Sequence, residues 1–163
     1  MYNYIVELYY YYLRPYLMSN PNPLFTDEDS KFYYLSLIKE DDKTYSIHGL
    51  WPQYSPNKYP TYCKNVSFSV DKLQPIINDL NKYWYSTQEK NADFWEHEYK
   101  KHGSCVFTDI TELEYFEKSL SLFKEASANN LPEKYYNPYT KKCLIPVSID
   151  FKLEKISTNF EIY

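Results

Sequence analysis

All three histidines and both glycines of the 163-residue chain fall in two short segments, Tyr45 to Pro52 (YSIHGLWP) and Phe94 to Cys105 (FWEHEYKKHGSC). Histidine gives and takes protons near neutrality, with an unperturbed pKa of about 6.5. Gathering all of them beside Glu98 and Lys101 points to proton transfer with a charge to be stabilised nearby. The second segment predicts a helix of about nine residues, with Asp93 as N-cap, Glu96 completing a capping box and Gly103 just past the last turn. At about 100° per residue, with His97 as origin, Lys101 falls near 40°, Phe94 near 60°, Glu98 near 100° and His102 near 140°, so the five share a face. Trp95 and Tyr99 lie beside that arc and are expected in the core, while Glu96 and Lys100 form a solvated i, i+4 ion pair. A plain polar surface helix would use the same residue types. A zinc site would need His48 and a carboxylate as well, because His97 and His102 stand about 140° apart, unlike the two ligands of the HExxH pattern.

HGLWP followed by FWEHEYKKHGSC resembles the two active-site signatures of the ribonuclease T2 family, metal-independent enzymes that cut RNA through a cyclic phosphate. The resemblance implies an endoribonuclease acting on single-stranded RNA, giving 2′,3′-cyclic phosphate and then 3′-phosphate ends, with no cofactor and no metal. In such a reaction the 2′-hydroxyl attacks its own neighbouring phosphate. The protein then supplies a base, an acid on the other side of phosphorus, and positive charge for the phosphorane. Two residues on one short helix serve that geometry poorly; His48 and His102 suit it. By resemblance His102 is the base and His48 the acid, while Lys101, Glu98 and protonated His97 stabilise or hold the phosphate. Glu98 is also expected to raise the pKa of the imidazoles beside it. The profile against pH should be bell-shaped, with its optimum on the acid side of neutrality.

The resemblance further implies that Trp51, Gln53 and Tyr59 line one base site and that Phe94 stacks in the second. Simple packing accounts for Trp51 and Tyr59 equally well. Gln53 stands where many members carry an acid, and Glu7 to Tyr12 (ELYYYY) lacks the Gln-Trp pair that the family's first strand often supplies. Cys63 and Cys105 match positions joined by a disulfide in many members, whereas Cys143 matches a cysteine whose partner is missing and is expected to be a free thiol. A reading of a different class is a catalytically silent RNA- or nucleotide-binding protein on the same scaffold.

Length and composition set the frame for these segments. The chain is long enough for one core, so one α+β domain over residues 1–163 is expected, an antiparallel sheet with several packed helices, most simply a monomer. A net charge of -4 rules out a global positive field, so RNA must be recruited by a local site. No run of 18 apolar residues occurs, which excludes a membrane span, and residues 1–18 lack the pattern of a signal peptide, leaving the compartment open. The 21 tyrosines read as ordinary strand and core residues. Alternation predicts an opening strand over Tyr2 to Tyr12, and Thr26, Asp27 and Asp29 predict a short helix reaching towards Leu37. A strand over Thr44 to His48 should run into a loop. Helices are expected from Asp71 to Trp84 and after a capping box at Thr111 and Glu114, then a long loop over residues 127–142. Ile145 to Leu153 should be a strand, with Ile156 to Ile162 as its partner. Asn65-Val66-Ser67 is a glycosylation sequon, meaningful only if the chain is secreted.

Overall fold

The computed structural model describes residues 31–153. The predicted strands at Tyr2 to Tyr12 and Ile156 to Ile162 lie outside the described residues, as do Thr26, Asp27 and Asp29. Two hairpin strands, β1 (Phe32–Lys39) and β2 (Tyr45–Gln53), are followed by a 3₁₀ segment, Val70–Ile76, that runs into helix α1 (Ile77–Tyr83). Helices α2 (Asn91–Lys101), α3 (Glu112–Ala128) and α4 (Leu131–Tyr135) come next, and the short β3 (Tyr136–Asn137) and β4 (Lys142–Val147) complete the order. The strands form one antiparallel sheet in the order β2-β1-β4-β3, so the α+β expectation holds.

Alternation divides the sheet into two faces. Tyr33, Leu35 and Leu37 of β1, Ile47 and Leu50 of β2, and Cys143, Ile145 and Val147 of β4 belong to one buried cluster with Trp84, Trp95, Phe116 and Leu120 from the helices. Tyr34, Ile38, Trp51, Gln53 and Leu144 line a cavity instead. Side-chain hydrogen bonds lock the layers together: Tyr115 Oη donates to the Leu50 carbonyl at 3.0 Å, and Trp95 Nε1 donates to the Trp84 carbonyl at 2.6 Å. Each satisfies a polar atom that burial would otherwise leave unpaired.

Several expectations are corrected. Leu37 lies in strand β1 rather than at the end of a helix, because its side of the strand alternates into the core. The strand at residue 45 does not give way to a loop after His48 but continues to Gln53. Pro52 is tolerated there because β2 is an edge strand, where a missing N–H need not break a ladder. The stretch 127–142 contains the end of α3, helix α4, strand β3 and the first residue of β4, with Pro132 in the first turn of α4, where proline fits. The strand predicted to run to Leu153 ends at Val147; the chain turns back so that Leu153 bridges Val147. The capping box at Thr111 and Glu114 is formed, and Leu113, Phe116, Leu120 and Phe123 recur at helical spacing as one apolar stripe, the last three buried and Leu113 half-buried against the core.

Candidate active site

The edge strand β2 delivers His48 through an irregularity. Ser36 pairs with Gly49 but Leu37 pairs with Ile47, so His48 is an extra residue opposite the ladder, a β-bulge. The insertion changes which residues share a face. Without it, strict alternation would put Trp51 and Gln53 on the side of Ile47. With it, Leu50 joins Ile47 in the core, and Trp51 and Gln53 join His48 on the cavity side.

Helix α2 supplies the opposite wall. Phe94, Glu98 and His102 are buried, Lys101 is half-buried and His97 is exposed, and all five line the cavity, as the helical wheel predicts. Trp95 and Tyr99 enter the core, and Lys100 pairs with Glu96 at 2.5 Å. The ends of the helix depart from expectation. It begins at Asn91, with Lys90 at the N-cap, and Asp93 sits in the first turn, where a negative charge suits the helix dipole. Gly103 does follow the helix, but as the start of a 3₁₀ turn and without a positive φ. Its missing side chain serves packing: a Cβ there would approach Tyr99 Cδ2 to 2.5 Å.

A disulfide joins Cys63 to Cys105 at the foot of α2, and Cys143 is free and buried. Hydrogen bonds from Cys63 N to Ser104 Oγ (3.0 Å) and from Tyr62 N to the Lys101 carbonyl (2.9 Å) hold the strap before the bridge against the turn carrying His102.

The two elements meet at Glu98. One carboxylate oxygen lies 3.6 Å from His48 Nε2; the other lies 3.9 Å from His102 Nε2 and accepts a hydrogen bond of 2.8 Å from Trp51 Nε1. The Trp51 ring stacks on His102 with centroids 5.1 Å apart and meets His48 edge-on at 5.0 Å. Phe94 closes on His48 at 5.7 Å. Gln53 is buried, its amide donating to the Trp51 carbonyl at 3.4 Å, whereas Tyr59 stands exposed at the rim. All nine candidate side chains thus border one cavity of about 680 Å³. Residues 85–89, from Tyr85 to Glu89, form a further wall that the sequence reading missed, since a polar connection between helices carries no periodic signal.

Burial governs protonation here. It pushes Glu98 up to about 7, against the smaller lowering effects of the Trp51 hydrogen bond and Lys101. It pulls His102 down to about 3, aided by Lys101, His48 and His97, and lowers His48, aided by Lys101 and His97. The expected rise is not found: both imidazoles are lowered, first by desolvation of their charged forms and then by the neighbouring cations. His102 Nδ1 is buried without a hydrogen-bond partner. Among the described residues, no group of three or more His, Cys, Asp or Glu side chains converges as metal ligands.

The family model described as "Ribonuclease T2 family" matches residues 25–157, and the chain belongs to that family. It is 40% identical over 88 residues to ribonuclease DdI of Dictyostelium discoideum, covering 53% of this chain and 40% of that protein. Over 87 residues it is 33% identical to ribonuclease 3 of Arabidopsis thaliana, covering 51% and 39%. The chain thus spans about two fifths of the length of these curated relatives. Among solved structures it resembles RNase NT in complex with 5'-AMP, with a TM-score of 0.60 at 19% identity, covering 77% of this chain and 89% of that one. The likeness to ribonuclease MC1 from bitter gourd seeds has a TM-score of 0.57 at 20% identity, covering 76% and 92%.

Proposed function

We propose that the chain is a metal-independent endoribonuclease that cleaves single-stranded RNA by attack of the 2′-hydroxyl on the adjacent phosphate, releasing 2′,3′-cyclic and then 3′-phosphate ends. The observation that carries this reading is the convergence of His48 from a strand bulge and His102 from a helix end on the same carboxylate, at the edge of a cavity also lined by Lys101. Family membership supports the same reaction class.

His102, neutral above about pH 3, serves as base for the 2′-proton. His48, the more exposed imidazole, protonates the departing 5′-oxygen. A bound phosphodiester favours the protonated form of His48, opposing the desolvation that lowers it. Below pH about 7 Glu98 is a neutral acid able to donate a hydrogen bond to a phosphoryl oxygen, with Lys101 and His97 supplying positive charge. Ionisation of Glu98 ends that donation and repels the phosphate, so activity falls on the alkaline side. The profile is then bell-shaped and acid of neutrality; a rate still climbing above pH about 8 contradicts the assignment.

The deciding experiment is incubation with a defined oligoribonucleotide in excess EDTA, followed by mass analysis of the ends. Cyclic phosphates establish the reaction, whereas 5′-phosphate products or chelator-sensitive cleavage reject it. His48→Ala and His102→Ala should each lower turnover by at least about 10²-fold while retaining RNA affinity. Oligonucleotide binding without any turnover by the unaltered chain would instead identify a silent binding protein.

A further inference from the structure

We propose that Trp51 is a positioning residue for Glu98, its indole N–H holding the carboxylate in place between the two imidazoles. The contact is 2.8 Å from Nε1 to Oε2, shorter than the 3.6 and 3.9 Å separating the same carboxylate from His48 and His102. A hydrogen bond to a carboxylate in a desolvated setting is directional and strong. The indole is itself held. One ring face stacks on His102 at 29° between planes, and Trp51 pairs across the ladder with Tyr34. Gly49 provides the space: a Cβ there would collide with Glu98 Oε2 and lie 2.5 Å from Trp51 Nε1. The bulge at His48, the absent side chain at Gly49 and the ring of Trp51 thus form one seat for the acid.

The consequence is specific to the N–H. Glu98 is faced by His48 from β2, His102 and Lys101 from α2, Glu89 from the preceding connection, and Tyr115 from α3. Together with Lys101, and against burial and Glu89, the indole favours the ionised carboxylate. Its removal should leave Glu98 both less ordered and protonated to a higher pH.

The catalytic part rests on the ribonuclease reading; the contact itself can be read without turnover. Of the three tryptophan indole Nε1–H resonances, the one missing from Trp51→Phe should titrate between about pH 4 and pH 8, and that titration should vanish in Glu98→Gln. Trp51→Phe keeps an aromatic ring and should lower kcat about tenfold with KM for the oligoribonucleotide changed less than about threefold. The alkaline limb of its activity profile should move up by about one pH unit. An indole resonance flat with pH and unmoved in Glu98→Gln overturns the proposal, as does a variant with the original limb or with its loss confined to KM. A chain inert towards RNA would defeat the ribonuclease reading alone, because the indole titration still upholds or overturns the contact.

Discussion

Glu98 and His102 are 2% and 4% exposed, and burial disfavours the charged form of each, so their protons move in opposite directions on folding. Glu98 rises from 4.5 to about 7; between those values the folded chain holds a proton the unfolded chain has released, and stability falls as pH rises. His102 drops from 6.5 to about 3; between those values the unfolded chain holds the extra proton, and stability rises with pH. From pH 4.5 to 6.5 the two slopes oppose, so the pair predicts a stability plateau in that window, with an acid loss below it that His102 sets. Thermal melts should show it. In Glu98→Gln the opposing term is gone, and Tm should climb with pH across the same window. Equal pH dependence in variant and parent would contradict the assignment of the two protons.

The elements place these residues through two irregularities. The bulge at His48 brings an imidazole, Trp51 and Gln53 to one sheet face while Leu50 keeps its place in the core. Gly49→Ala tests the seat this creates. Because Gly49 has no positive φ, the backbone accepts alanine, and the cost comes from the methyl meeting Glu98 and Trp51. The expected result is a loss of about 1–3 kcal/mol in denaturant melts, with a marked drop in turnover. The second irregularity is the strap tied to the end of α2. Replacing Cys63 and Cys105 together by Ser opens a loop with a sequence separation of 42 and should cost up to about 4 kcal/mol in the chain-entropy model, measured by denaturant unfolding. A larger fall in activity than in stability would show that the bridge also sets the position of His102.

The bulge marks where the sequence ceased to be legible, whereas the Cys63–Cys105 bridge is formed as the resemblance implied. The face of α2 and the stripe of α3 could be read because helical periodicity repeats over several turns and the capping box is a local pattern. The bulge could not, since Gly49 and Pro52 look like strand breakers and an inserted residue mimics the end of alternation. Glu98 was visible as a candidate, but its own shift and those of the imidazoles beside it follow burial, which spacing does not report. Tyr85 to Glu89 gave no signal at all, being a polar connection whose role arises only from where α1 and α2 leave it.

At the scale of the whole molecule the charge distribution bears on how RNA would be met if the proposed function holds. A net charge of -4 offers no general attraction for a polyanion, and Glu40 and Glu89 border the same cavity as Lys101 and Lys142. Among the described residues that line the cavity, positive charge able to meet phosphate comes from Lys101, His97 and His48, with Lys142 elsewhere on the wall. Each phosphate neutralised on a single strand contributes about -0.7 to the slope of log affinity against log salt. One or two such contacts predict a slope between about -0.7 and -1.4 for an oligoribonucleotide longer than the cavity. Fluorescence anisotropy of His102→Ala, which binds without consuming the probe, measures it directly. Lys101→Ala should reduce the magnitude of that slope by about 0.7. A slope of about -4 or steeper would instead require a basic track beyond the cavity, and RNA recruitment would then belong to a surface other than the one formed by β2 and α2.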